Sequence, residues 1–192
     1  MKTSTGSVNP KLLIVLGVVI ALALFLKLTN PHKKYSTREF WATATVQTVQ
    51  EVPADALKLG NKNGGVLMWA AMGSSDPAVI RALVARGADL NEHEPMFSGT
   101  PLTSAAGYSK HPAIMNELVK LGADVHGTVN NKQTALMIAA QYNTEPGIVE
   151  ALVALGADVE GRDAQGHTAL ELAKINNNKV AELALTGLVR SR

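Results

Sequence analysis

Five histidines, three evenly recurring aspartates and a glycine pair are the residues of this chain whose types could do chemistry. Their spacing argues against each in turn. Two metal ligands or an acid–base pair on one helix face need His-x-x-x-His or His-Glu-x-x-His, and His32, His93, His111, His126 and His167 form neither. Glu92-His93-Glu94 is the densest ligating run, but three consecutive residues read as a solvated charged loop. Gly64-Gly65 lacks the lysine and the serine or threonine that a phosphate loop requires, and no Gly-x-Ser-x-Gly elbow occurs. The absence of cysteine removes disulfides, thiolate metal sites and lipoprotein attachment. The sequence therefore points to a non-enzymatic protein, with no catalytic, cofactor-binding or metal-ligating residues.

The aspartates lead to the elements that carry them. Gly87-Ala88-Asp89, Gly122-Ala123-Asp124 and Gly156-Ala157-Asp158 stand 35 and 34 residues apart, and 20 residues before each glycine lies a leucine: Leu67, Leu102 and Leu136. Alanine pairs follow, Ala70-Ala71, Ala105-Ala106 and Ala139-Ala140, and Leu170 with Ala173 makes a fourth start. Such a period means stacked supersecondary units, none able to bury its apolar face alone. Val79, Ile80, Leu83 and Val84 form a helical stripe. Pro77, Pro112 and Pro146 recur at one register and mark the start of each second helix, where a missing N–H costs nothing. The glycines suit left-handed helix ends.

Thr100-Pro101-Leu102, Thr134-Ala135-Leu136 and Thr168-Ala169-Leu170, with the recurring Gly-Ala-Asp, resemble the ankyrin repeat family. The resemblance implies an all-α solenoid of stacked helix pairs: a degenerate cap over 37–60, repeats over about 61–95, 96–129 and 130–163, and a C-terminal cap over 164–190. In the cap, Val46, Val49 and Val52 supply the apolar stripe. It also implies that Asp89, Asp124 and Asp158 are structural turn caps. The histidine of the family's Thr-Pro-Leu-His is replaced by Met68, Thr103, Met137 and Glu171, so its hydrogen bond to the threonine is expected to be lost. Family members bind macromolecules through the turns between repeats and the concave face of each first helix. Here the turn tips are Met96-Phe97, Asn130-Asn131 and Ala164-Gln165, and the concave positions are Met72, Tyr108, Gln141 and Tyr142. Two tyrosines at equivalent places, in a chain with only 4% aromatic residues, are the composition of an interface centre.

Leu12 to Leu26 gives fifteen residues without a polar side chain, bracketed by Lys11 and Lys27. Such a run spans only ~22 Å as a helix, and lysine snorkelling extends Pro10 to Leu28 to ~28 Å, close to a bilayer core. Residues 1–10 then form a short tail, 11–28 a transmembrane helix, 29–36 a linker and 37–192 the repeat domain. The alternative is a signal peptide cleaved after Ala23 at Ala21-Leu22-Ala23, against which the apolar Leu24-Phe25-Leu26 continues the run. Residues 1–34 hold five lysines and no acid, leaving 13 basic and 16 acidic side chains for the remainder. The basic whole-chain pI therefore belongs to the leader and gives no reason to expect nucleic acid. Lys2, Lys11 and the free amino terminus before the span nearly balance Lys27, Lys33, Lys34 and Arg38 after it; the strict count favours a cytoplasmic repeat domain by one charge, and the short basic tail tips the expectation to an exported one.

The function expected is a membrane-tethered interaction module at a bacterial-type inner membrane: an adaptor, inhibitor or immunity-like protein. It would bind a protein partner at the membrane and no small-molecule substrate. The alternative is a soluble exported protein that protects or assembles a periplasmic enzyme.

Overall fold

The computed structural model describes residues 33–58, 65–93 and 99–190. The expected tail, the apolar span 11–28, the Ala23 cleavage site and the Met96-Phe97 tip all lie outside these residues. Among the described residues no helix is long and apolar enough to cross a membrane. The chain divides into Met1–Lys34 and Tyr35–Arg192, and the architecture that follows is that of the second unit.

Eleven short helices make up almost all of the regular secondary structure among the described residues. A 3-10 turn at Lys33–Ser36 precedes α1 (Arg38–Ala42), α2 (Val46–Gln50) and α3 (Ala54–Lys58). Four helix pairs follow: α4 (Val66–Gly73) with α5 (Pro77–Ala85), α6 (Pro101–Tyr108) with α7 (Pro112–Lys120), α8 (Ala135–Tyr142) with α9 (Ile148–Ala154), and α10 (Ala169–Ile175) with α11 (Lys179–Arg190). A two-stranded antiparallel ribbon, β1 (Thr128–Val129) and β2 (Gln133–Thr134), pairs Thr128 with Thr134 between the second and third pairs. The first helices pack in one row, α1–α4–α6–α8–α10, and the second helices in another, α2–α5–α7–α9–α11.

The first helices of the four pairs satisfy their free N-terminal N–H groups in different ways. Thr100 and Thr168 form capping boxes with the residue three places on. Thr103 Oγ1 accepts the Thr100 N–H at 2.7 Å, and Glu171 Oε2 accepts the Thr168 N–H at 2.8 Å. A hydrogen bond to the threonine, expected to vanish with the family histidine, is thus made here by Thr103 and Glu171. Thr134 accepts only the Met137 N–H, at 3.4 Å. At α4 the cap position is Gly65, which has no side chain, and Glu92 from the following turn accepts the Met68 N–H at 3.0 Å.

The helix ends follow the glycines. Gly87, Gly122 and Gly156 have φ of 93°, 110° and 97°, and the next residue donates back to Leu83, Leu118 and Leu152, each at 3.0 Å. These are the wrapped ends that a left-handed glycine permits. Pro77 and Pro112 open their helices as expected, but Pro146 does not. Gly147 is itself left-handed, with φ 88°, so the chain turns once more and α9 starts at Ile148.

Leu67, Leu102 and Leu136 are at most 2% exposed, and the three alanine pairs are fully buried. At the N-terminal end the rings of Tyr35, Phe40 and Trp41 pack together, with edge contacts at 5.2 and 5.0 Å. Trp41 Nε1 donates to the Tyr35 carbonyl at 2.9 Å. Val49 and Val52 are buried whereas Val46 is 40% exposed. Pro53 disfavours a helical Val52 and divides this cap into separate turns.

Polar bridges tie the repeats together. Asn143 Nδ2 donates to the carbonyls of Ala106 and Ser109 at 2.8 and 2.9 Å, and Asn178 Nδ2 to those of Ala140 and Asn143 at 3.1 and 2.7 Å. Each buried asparagine therefore closes the first helix of the preceding repeat. On the second row, Arg81 makes a bidentate pair with Glu117, at 2.7 and 2.9 Å. That hydrogen bonding holds the Glu117 carboxyl below its usual range, against the opposing effect of burial.

Leu136→Ala is expected to destabilise the domain by about 2–5 kcal/mol through the cavity it leaves. Asn143→Ala, which strands two buried carbonyls, is expected to cost about 1–3 kcal/mol. Urea unfolding followed by far-ultraviolet circular dichroism measures both, and an Asn143→Ala midpoint equal to wild type would deny the bridge any weight.

Candidate functional site

Tyr108 and Tyr142 are the last residues of α6 and α8, one repeat apart, and their rings stack at 6.4 Å between centroids and 18° between planes. The close approach begins beside them. A Cβ on Gly107 would lie 3.1 Å from Ile138 Cγ2, so the bare glycine lets α6 and α8 come together where the rings project. Both tyrosines remain about half exposed, at 48% and 54%. They form one wall of a groove of about 640 Å³.

Met68, Trp69 and Met72 of α4 line the groove, with Thr103 and Ser104 of α6 and Ile138 of α8. The ribbon forms the other wall through Val129, Asn130, Asn131 and Gln133. Asn131 and Lys132 have φ of 60° and 57°, and asparagine tolerates this left-handed turn better than most residues. The Asn131 carbonyl accepts the Ala164 N–H at 2.7 Å, which pins the ribbon to the next turn.

Five of the residues singled out in the sequence thus share one surface: Met72, Tyr108, Asn130, Asn131 and Tyr142. Gln141 is not among its lining residues, and its amide folds back to the Met137 carbonyl at 3.2 Å. Gln165 is exposed on the last turn, with its backbone N–H held by Asp163 Oδ1 at 2.9 Å. Met96 and Phe97 fall outside the described residues. Met68, Ser104 and Ile138 were missed, yet each precedes Met72, Tyr108 or Tyr142 by four residues. Helical register puts such a pair on one face.

The recurring aspartates do turn work. Asp89, Asp124 and Asp158 accept the N–H two residues on, from Asn91, His126 and Glu160, at 2.9, 2.9 and 3.0 Å. Asp163 accepts from both Gln165 and His167. Among the described residues no group of three or more acidic, histidine or cysteine side chains could hold a metal ion.

With this arrangement in view, a family model described as ankyrin repeats (3 copies) matches residues 67–163 and 105–188. The chain belongs to the ankyrin repeat family. No curated protein matches it. The matched residues begin at Leu67 and leave out the aromatic N-terminal cap, which departs most from a helix pair.

One ionisable group of this ankyrin domain stands apart. Burial pushes the Glu92 carboxyl up to about 7, assisted by nearby Asp89 and opposed by the Met68 N–H. Gly65 makes room for it, since a Cβ there would collide with the carboxylate. A carboxyl raised in the folded state holds its proton longer there than in the unfolded chain. Its contribution is therefore most favourable below about 4.5 and is lost as the pH rises through about 7. The displacement corresponds to at most about 3.5 kcal/mol. Glu92→Gln keeps an oxygen for Met68 without the charge, and is expected to melt roughly 2–8 °C above wild type at pH 8, with the difference shrinking at pH 4.5. Thermal melts at the two pH values check this, and a variant less stable at pH 8 would show that the buried charge helps α4.

Proposed function

We propose that this ankyrin repeat protein is a non-enzymatic interaction module, held at a membrane by residues 11–28, that grips a protein partner in the groove between Tyr108, Tyr142 and the ribbon. The exposed stacked tyrosine pair is the observation that carries the reading. Aromatic side chains offer large contact area with few torsions to freeze, and they concentrate at the centres of protein interfaces. The surrounding methionines adapt their shape to a partner. The uninterrupted apolar run between Lys11 and Lys27 supports the tether. A linker over 29–36 keeps the domain within a few tens of Å of the bilayer, which favours a partner in or on the membrane. The role is that of an adaptor, inhibitor or immunity-like protein at an inner membrane, with the domain on the exported side.

Two measurements test this. A tethered protein stays with membranes after a high-salt wash and migrates at its full 20.2 kDa. A shortened, freely soluble product would instead support release after Ala23. Crosslinking and recovery from cells is expected to capture a membrane-associated partner, and the Tyr108→Ala/Tyr142→Ala variant to lose it while its melting curve stays cooperative. Losing two aromatic anchors is expected to cost about 2–4 kcal/mol of binding. Undiminished capture by that folded variant would move the interface elsewhere.

A further inference from the structure

Beside the groove lies a second hollow of about 640 Å³ whose lining is of another character. Arg38 and Glu39 of α1 border it on one side, and Lys110 and His111, from the turn between α6 and α7, on the other. Two basic side chains and a histidine thus border the hollow together with one carboxylate. Met72 lines both this hollow and the aromatic groove, so the two adjoin along α4. Tyr108 joins them more tightly, because its ring stands in the groove while its carbonyl accepts Arg38 Nη2 at 2.9 Å. That bond fixes the guanidinium, which keeps further N–H groups to offer. Among the described residues neither Lys110 Nζ nor the His111 ring has a hydrogen-bond or ion-pair partner.

We propose that this hollow receives an aspartate or glutamate side chain of the partner segment whose apolar anchor lies on Tyr108 and Tyr142. The proposal rests on the groove reading above and adds the chemistry of what binds there. A free C-terminal carboxylate is usually held by converging backbone N–H groups. Here the N–H groups of Asp76 and His111 at the turns are already given to Ser74 and Ser109 Oγ, at 3.1 and 3.2 Å. Long cationic arms remain, and they suit a side-chain carboxylate. Ring and guanidinium are separated by one tyrosine and one hydrogen bond, about 10 Å, which an extended chain covers in about three residues. The recognised segment is therefore an extended peptide with an aromatic, aliphatic or proline anchor and an acid about three residues away. The domain's excess of acidic over basic side chains makes this local reversal of sign a selective feature.

The test uses the full chain in detergent, immobilised and panned against a phage-displayed library of random peptides. Expected are peptides with an acidic residue about three positions from an apolar anchor. Lys110→Glu, an exposed change that leaves the Arg38 bond to Tyr108 intact, is expected to weaken a selected peptide about 5- to 10-fold. The same peptide with its acid changed to lysine should recover binding to that variant. Arg38→Gln, if it folds, should lose more. Peptides that need Tyr108 and Tyr142 but show no acidic preference, or are indifferent to Lys110→Glu, would overturn the hollow's assignment and leave the groove standing. Binding that survives Tyr108→Ala/Tyr142→Ala would instead overturn the groove itself. Displacement of the acidic peptide by dihexanoyl phosphatidylglycerol would make the hollow a lipid headgroup site and sink the assignment to a protein carboxylate.

Discussion

The distance between neighbouring first helices governs the rest of this structure. No repeat carries enough apolar surface to fold by itself, so each must lie close against the next. Alanine pairs make this possible: Ala70-Ala71, Ala105-Ala106 and Ala139-Ala140 are fully buried and present only methyl groups to the adjoining helix. At Gly73 even a methyl is too much, since a Cβ there would collide with the Arg38 carbonyl. Once the helices are this close, Asn143 and Asn178 can reach carbonyls one repeat back. The tyrosine rings stack for the same reason. A larger side chain in any alanine pair would loosen the bridges and the groove together.

The repeat architecture was legible because its cause is periodic. Leucine, alanine pair and glycine return at fixed intervals, and each has one physical job wherever it recurs. What was hidden depended on a single local departure. Pro146 matches Pro77 and Pro112 in register, but Gly147 behind it takes a positive φ and moves the helix start to Ile148. The groove was half legible. Tyr108 and Tyr142 stand out by type and position, whereas Ser104 and Ile138 look like ordinary helix residues until their four-residue offset from the tyrosines is considered. Trp69 needed the packed structure, because most of the residues that line the groove with it come from other repeats.

Two glutamates show how far position outweighs chemical type. Glu171 and Glu92 both accept backbone N–H groups at the start of a first helix. Glu171 belongs to the helix it caps and its side chain is half exposed, so the Thr168 backbone and side-chain hydrogen bonds hold its carboxyl below the ordinary value. Glu92 reaches α4 from the following turn, over a glycine, and is partly buried near Asp89. Burial then dominates the same kind of hydrogen bond. The sequence hints at the difference only through Gly65, which stands where the later repeats have threonine.

Apart from Val46 in the N-terminal cap, the exposed large apolar side chains among the described residues occur in two regions, and these differ in meaning. Ile175, Val180, Leu183 and Val189 belong to the last helix pair, which has no following helix pair among the described residues to cover it. They are interspersed with Lys179, Glu182 and Arg190, and Lys179 pairs with Glu182 at 2.7 Å. Scattered exposure of this kind is common on soluble surfaces. Tyr108 and Tyr142 are different because they come from separate repeats yet meet in one stack, with methionines and a tryptophan on the facing helix and a pinned ribbon opposite. Forming such a wall requires the correct spacing of two repeats, so the folded stack sets the place of the rings before any partner arrives. A preformed surface gives up little conformational freedom on binding, which is why the groove and not the end of the solenoid is the place to look for the partner.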